Sequence, residues 1–171
     1  MPLQSKGSFM IATKESHTGG CQCGAVRFRV TELGRPSFCH CRMCQKAFGA
    51  TGGALVTAKA FTWTRGAPKY FQSSKAIKRG FCADCGTPLT FEYEGGIDIA
   101  IPTFDKAGEI APVIQLSPEA ALPWAAGISS LPGYPAEERE RREAWMQSIQ
   151  SNQHPDHDTD VWPAKVWPSK S

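Results

Sequence analysis

Seven cysteines are the residues of this sequence whose type and spacing could do chemistry. They form three tight motifs, Cys21-Gln-Cys23, Cys39-His-Cys-Arg-Met-Cys44 and Cys82-Ala-Asp-Cys85. Cysteines separated by one or two residues can direct two thiolates at one metal ion and leave backbone N–H groups free to bond the sulfurs. Free buried cysteines would not produce three clusters of this kind. The spacing therefore indicates metal binding.

The number of cysteines suggests how they divide between two metals. A closed structural zinc has four protein ligands, whereas a catalytic zinc keeps three and an open position. The simplest partition gives the outer two motifs to a structural zinc, with the ligands Cys21, Cys23, Cys82 and Cys85. It leaves the middle motif as a three-ligand site, with the ligands Cys39, Cys41 and Cys44. His40 is an alternative fourth ligand there, although its place between two ligand cysteines should turn its side chain elsewhere.

Composition limits the protein classes that can hold these sites. The chain has 171 residues, of which 41% are hydrophobic and 20% charged, which suits a folded protein with one core. A formal net charge of +3 does not indicate binding to nucleic acid or to a membrane surface. The sequence has no apolar run long enough for a membrane span and no secretory signal core. An odd cysteine count argues against a disulfide framework, so we expect a cytoplasmic protein.

The elements that must position the motifs are mostly short strands. Val26, Phe28 and Val30 alternate with Arg27 and Arg29, which indicates a half-buried strand. A turn is expected at 33–36, and a short helical turn at 42–48 that ends at a glycine. Further strands are predicted at 53–63, 70–72, 77–81, 89–93 and 97–101. Together with 16 glycines and 13 prolines, this succession indicates a mainly β fold of short antiparallel sheets.

The C-terminal third has a different character. Five prolines between 111 and 135 predict extended, turn-rich chain. A helix follows at 135–150, with an apolar stripe formed by Trp145, Met146 and Ile149. Beyond it lies a polar tail in which Trp162 and Trp167 each precede a proline. We therefore divide the chain into an N-terminal arm at 1–17, a zinc domain at 18–135, and a C-terminal helix and tail at 136–171.

Three stretches together resemble the glutathione-dependent formaldehyde-activating enzyme family, also called the centromere protein V family. They are Gly20-Cys-Gln-Cys-Gly24, the middle motif Cys39–Cys44, and Phe81-Cys-Ala-Asp-Cys-Gly-Thr-Pro-Leu89. The resemblance runs from about Thr18 to Pro135. It implies a zinc-bearing β-tent with a structural zinc on the outer motifs and a more labile zinc on the middle one. It also implies a carbon–sulfur lyase type of activity, the condensation of formaldehyde with glutathione to S-(hydroxymethyl)glutathione.

Two functions remain open for the middle motif. A coordinated thiol is deprotonated, so an open three-cysteine zinc could bind glutathione or another small thiol as its thiolate, to which a small aldehyde adds. Cys39, Cys41 and Cys44 are then catalytic as ligands of the open zinc. Because three thiolates make zinc a poor Lewis acid, thiol capture is the better use of this ion. Alternatively, both metals are structural and the chain is a zinc-stabilised binding module.

Residues outside the motifs are weaker candidates. Lys75, Lys78 and Arg79 could meet a glutathione carboxylate, but solvated charges are the expected state. Phe71 is predicted to lie in the core, Glu92 on the solvent side of a strand, and His154 in a solvated tail.

Overall fold

The computed structural model describes residues 16–161, which build an eight-stranded sheet. The strands are β1 (His17–Gly20), β2 (Arg27–Cys39), β3 (Gly53–Arg65), β4 (Lys69–Gln72), β5 (Lys78–Phe81), β6 (Pro88–Tyr93), β7 (Gly96–Ala100) and β8 (Ile114–Leu116). Their order in the sheet is β1-β2-β3-β7-β6-β5-β4, and every neighbouring pair on this path is antiparallel. β8 pairs in parallel with the end of β2. The prediction of a mainly antiparallel β fold with a C-terminal helix is confirmed.

Two α-helices accompany the sheet in the described part of the chain, α1 (Arg42–Phe48) and α2 (Ala136–Ser148). α1 ends at Gly49, which adopts a left-handed conformation with φ of 59°, as expected for a glycine after a helix. Short 3-10 turns lie between β7 and α2. Among residues 16–161, no helix combines the length and apolar character that crossing a membrane requires.

The long strands β2 and β3 form the centre of the core. Phe28 and Val30 of β2 are fully buried, as are Val56 of β3 and Ile99 of β7. This agrees with the alternation predicted for the start of β2. The predicted turn at 33–36 is wrong, because β2 continues through it to Cys39. Shifts of the β2–β3 register between Val30 and Pro36 absorb the irregular residues as bulges.

Arg27 lies in a buried ion pair, although its place in the alternation predicts a solvated side chain. Only 3% of its side chain is exposed. Its Nη1 donates to Asp105 Oδ1 at 2.8 Å and its Nη2 to Asp105 Oδ2 at 2.6 Å, and Asp158 accepts from the other edge of the guanidinium. Burial alone would raise the pKa of Asp105, but hydrogen bonds from Arg27 and Thr18 hold it below its ordinary value.

The segment at 151–161 covers this ion pair and docks on the first cysteine motif. The backbone N–H of His154 donates to the Gln22 carbonyl at 2.7 Å, and the guanidinium of Arg65 donates to the Thr159 carbonyl. The His154 residue is 8% exposed, so the prediction of a solvated His154 is wrong. Its ring fills the space where a Cβ on Gly24 would lie. Two parts of the chain that the sequence analysis singled out lie outside the described residues. They are residues 1–15 of the predicted arm and the tail residues Trp162 and Trp167.

Side chains of two other strands depart from prediction. Phe71 is 63% exposed rather than in the core. Glu92 is mostly covered and accepts from the Thr90 hydroxyl at 2.8 Å, so it is not on a solvent face. No residue of α2 is buried, and the apolar stripe of Trp145 and Met146 stays half-exposed within residues 16–161.

Replacing Asp105 by alanine should lower the free energy of unfolding by about 3 kcal/mol, because it removes the bidentate partner of a buried cation. Denaturant unfolding near pH 7 measures this loss. The control is Glu109→Ala in the exposed Lys106–Glu109 pair, where less than about 0.5 kcal/mol is expected. Because the folded pKa of Asp105 is lowered, its contribution is complete above its ordinary pKa and disappears as the pH falls through the folded pKa. Equal losses for the two variants would contradict the assignment.

Candidate metal centres

The outer two motifs bring four sulfurs together in the first centre. The Sγ atoms of Cys21, Cys23, Cys82 and Cys85 all lie within 4.8 Å of one another. The Cys21–Cys23 distance is 3.5 Å and the Cys23–Cys82 distance is 3.8 Å. A tetrahedral zinc with Zn–S bonds of about 2.3 Å separates its sulfurs by about 3.8 Å. The geometry of the first centre therefore fits a closed four-sulfur zinc.

Both halves of the first centre contain the same backbone hydrogen bond. The N–H of Gly24 donates to the Cys21 carbonyl and that of Gly86 to the Cys82 carbonyl, each at 3.0 Å. Both glycines have φ of 77°, a left-handed conformation that L side chains rarely adopt. The glycine after each outer motif thus permits the tight turn that aims two sulfurs at one point.

Thr87 joins the two halves, a role that the sequence analysis did not find. Its hydroxyl accepts the N–H of Gln22 at 3.0 Å and lies 3.1 Å from Cys85 Sγ, to which it can donate. The Val26 N–H donates to Cys21 Sγ at 3.3 Å. Hydrogen bonds of this kind stabilise thiolates and orient them for a metal. The signal was available in the third motif, because a threonine two residues after a ligand cysteine can reach its sulfur.

The thiols of the first centre cannot all ionise together without a cation. Burial opposes ionisation of Cys85, but hydrogen bonds from the Thr87 hydroxyl and N–H outweigh it and lower the pKa of Cys85 to about 7. Burial and the neighbouring sulfur of Cys21 raise the pKa of Cys82 to about 11. Burial also raises the pKa of Cys23, together with the sulfurs of Cys21 and Cys85. A divalent metal that binds all four thiolates must therefore displace protons.

The middle motif forms a second centre with three sulfurs. Cys39 ends β2, Cys41 precedes α1 and Cys44 lies in its first turn, and their Sγ atoms are within 4.8 Å of one another. Cys39 and Cys44 are buried, whereas Cys41 is half-buried. Within residues 16–161, no histidine, aspartate or glutamate ligand atom joins this group. The second centre is thus a three-ligand set that reaches the surface at Cys41.

His40 turns away from the three sulfurs, as its position between two of them predicts. Its Nε2 faces Gln115 Oε1 at 3.1 Å, and its ring packs against Phe38 with centroids 4.9 Å apart. Its Nδ1 is buried, with no hydrogen-bond partner among the described residues. The open alternative of His40 as a fourth ligand finds no support in this geometry.

In the second centre, the pKa values of two thiols are shifted in opposite directions. Burial, together with the sulfurs of Cys41 and Cys44, raises the pKa of Cys39 to about 12. Burial opposes ionisation of Cys41 too, but backbone N–H groups of Cys44 and Met43 and the adjacent sulfurs lower its pKa below the ordinary value. Of these two thiols, that of Cys41 therefore loses its proton more readily than that of Cys39.

Arg79 reaches the second centre, contrary to the prediction of a solvated charge. The residue is only 7% exposed, and its Nη2 donates to Cys44 Sγ at 3.5 Å. The adjacent Lys78 points to the other face of β5 and pairs with Glu92 at 3.1 Å. Because side chains alternate between the two faces of a strand, the sequence could have predicted that only one of these two cations faces the cysteines. It could not have predicted which one.

The fold and the two centres define a mainly antiparallel β protein with one group of four cysteines and one group of three. Residues 16–119 match the family model described as glutathione-dependent formaldehyde-activating enzyme. The match covers more than half of the chain, which therefore belongs to this family, as the three motifs predicted. The matched range ends before Pro135, to which the sequence resemblance was expected to extend.

Two known proteins are similar to parts of this chain. An uncharacterized lyase of Schizosaccharomyces pombe is 33% identical over 88 residues, which are 47% of this chain and 60% of the yeast protein. The chain thus spans less than two thirds of that relative. A crystal structure of a Rhodobacter sphaeroides protein is 21% identical with a TM-score of 0.46, and the match covers 57% of this chain and 98% of that one.

Replacing Cys85 by serine should abolish metal binding at the first centre and unfold the domain. The reason is that the binding energy of a closed four-sulfur site is folding energy. Metal content per chain and thermal unfolding by circular dichroism measure the two effects together. A soluble Cys85→Ser protein that melts cooperatively without this metal would refute the four-cysteine assignment.

Replacing Thr87 by valine should keep the shape of the side chain and remove its hydroxyl. We expect the first metal to be retained roughly 10-fold less tightly, as is typical when a partner of a metal ligand is lost. Competition with a chromogenic chelator measures the change, and Thr87→Ser should restore most of it. Identical metal retention in the valine variant and the unmodified protein would show that the hydroxyl is dispensable.

Proposed function

We propose that this chain is a zinc-dependent enzyme of the carbon–sulfur lyase type that acts on a small thiol and a small aldehyde. S-(hydroxymethyl)glutathione synthase activity, with glutathione and formaldehyde, is the form that the family description suggests. The observation that carries the proposal is the second centre, with three converging sulfurs and a half-buried Cys41. The name of the yeast relative, a lyase, supports the same reaction class.

The two centres have different tasks under this proposal. Four sulfurs of the first centre would saturate one zinc, which leaves it a structural role. Cys39, Cys41 and Cys44 would hold a second, more labile zinc. When bound there, such an ion would offer an open position at which a thiol loses its proton.

Residues around the second centre shape the surroundings of the reacting thiol. Leu55, Phe48 and Phe91 pack against the buried cysteines and exclude water from their sulfurs. Arg79 holds a positive charge beside Cys44, where negative sulfur charge accumulates. In the reaction, one C–S bond forms and the carbonyl π bond breaks. The former carbonyl oxygen takes up one proton and becomes a hydroxyl, which balances the proton that the thiol releases.

A cytoplasmic location belongs to the same proposal, because two cysteine centres of this kind need reduced thiols. None of the seven cysteines is in a disulfide. Seven thiolates with two zinc ions would change the formal charge of +3 to about zero. A near-neutral protein suits small-molecule substrates and needs no nucleic acid or membrane as a partner.

A zinc-stabilised binding module is the second candidate, and one observation favours it. Large apolar side chains stay exposed along 113–149, including Val113, Trp124 and Leu131. Exposed apolar side chains mark interaction sites in other proteins when they form a contiguous patch. In such a module both metals would brace the fold, and no reaction would depend on the second centre.

Replacing Cys41 by serine separates the two candidates. For an enzyme, we expect a folded protein that loses one metal equivalent and loses thiol-dependent formaldehyde consumption by at least about 100-fold, since even outer partners of a ligand are worth 10–100-fold. Formaldehyde disappearance with glutathione, metal content and circular dichroism are measured on the same samples.

The matched control is Met43→Leu, an exposed neighbour in α1 that keeps the backbone N–H beside Cys41. It should retain both metal and activity. A Cys41→Ser protein that unfolds, or one that consumes formaldehyde at the unmodified rate, would contradict the enzyme proposal.

A further inference from the structure

Arg79 is a buried cation that lacks a carboxylate partner within residues 16–161. Its guanidinium contacts three groups. The Ser73 hydroxyl accepts from Nε at 3.2 Å, the face of Phe91 lies 4.9 Å away at its ring centroid, and Cys44 Sγ lies 3.5 Å from Nη2. Of these three groups, only the sulfur can carry a full negative charge. Among the residues that the structure describes, the charge of Arg79 is therefore balanced by the cysteine cluster or not at all.

The other deeply buried arginine shows what such a cation normally requires. Arg27 is neutralised by Asp105 and Asp158 on two edges of its guanidinium. Removing a charge from water is expensive unless an opposite charge and hydrogen bonds compensate for it. The absence of a carboxylate beside Arg79 among the described residues implies that thiolates take this role.

The charge balance of the second centre supports this pairing. Three thiolates and one divalent cation carry a net charge of −1, and one guanidinium brings the sum to zero. A neutral assembly can stay buried, whereas the same assembly without Arg79 would be an uncompensated anion next to Leu55 and Phe91.

The structure holds Arg79 in this position from three sides. Arg79 and Phe91 are direct cross-strand partners on β5 and β6, so the guanidinium lies over the aromatic ring. Ser73 accepts from Nε while Nη2 is directed at Cys44, so contacts at two donors fix the orientation of the guanidinium. Lysine could supply the charge but not this fork of donors.

We propose that Arg79 is a positioning residue, whose guanidinium is the counter-cation of the Cys39–Cys41–Cys44 cluster and sets how tightly this cluster retains its metal. Its hydrogen bond to Cys44 withdraws charge from that sulfur, and its positive charge favours an anionic fourth ligand. The last consequence, preference for a thiolate as fourth ligand, rests on the proposed function.

The test compares Arg79→Gln, Arg79→Lys and the control Lys78→Gln by titration with Co²⁺, which reports thiolate ligation by its charge-transfer absorption. We expect Arg79→Gln to weaken metal retention at the second centre by about 10–100-fold and Arg79→Lys by less. The charge-transfer band of Arg79→Gln should also move to lower energy, because its Cys44 sulfur donates more strongly. Lys78→Gln, on the opposite face of β5, should match the unmodified protein, and the first centre should be unchanged in all variants.

Ser73→Ala is a milder variant in case Arg79→Gln does not fold. It removes only the acceptor of the Nε edge, and it should weaken second-centre metal retention by a smaller factor than Arg79→Gln. The proposal would be overturned if a folded Arg79→Gln protein kept the metal affinity and charge-transfer energy of the unmodified second centre. It would also be overturned if Arg79→Lys and Ser73→Ala both kept them.

Added glutathione separates this proposal from the proposed function. The cobalt spectrum of the unmodified protein should change on glutathione addition, and Arg79→Gln should need more glutathione for the same change. If metal retention depends on Arg79 but glutathione leaves the unmodified spectrum unchanged, the counter-cation role stands and thiol capture fails. If glutathione acts equally on both proteins and their metal retention is the same, thiol capture stands and the role of Arg79 fails.

Discussion

The meeting of four sulfurs from two distant parts of the chain is the constraint on which the rest of the structure depends. Cys21 follows β1 and Cys82 follows β5, and five strand spacings separate these strands in the sheet order. In a flat sheet that is roughly 24 Å. The sulfurs nevertheless lie within 4.8 Å of one another. The sheet and its connections must therefore close on themselves, and Thr87 and the segment at 151–161 support the closed form from two sides.

The first centre has enough sulfurs to saturate one metal without help from the second centre, which can therefore have another role. β2 begins beside the first centre and ends at Cys39, after thirteen residues. The two centres therefore lie beside opposite ends of the same strand. The two centres can thus differ in metal retention and chemistry. Rigid strands hold Arg79 and Phe91 against the sulfurs of the second centre, which gives an open site a fixed electrostatic environment.

Local patterns predicted much of this arrangement. Cysteine spacing predicted both groups of sulfurs, and glycine placement predicted the end of α1. The predictions that failed depend on segments that are distant in the sequence. Such segments decide which face of a strand is buried and where a strand ends. Arg27 is buried because Asp105 and Asp158, which are 78 and 131 residues away, cover it. The turn predicted at 33–36 failed because β2 absorbs its irregular residues as bulges against β3. Neither effect leaves a signal near the residue concerned.

The most direct test of this division of roles is the zinc content of the full chain, purified without chelator and then titrated with a mild chelator under circular dichroism. We expect about two zinc ions per chain. The first to leave should come from the second centre with the β signal unchanged, and loss of the last should coincide with unfolding. Release of both ions only on unfolding, or a folded protein with neither, would contradict the division into one structural and one open centre.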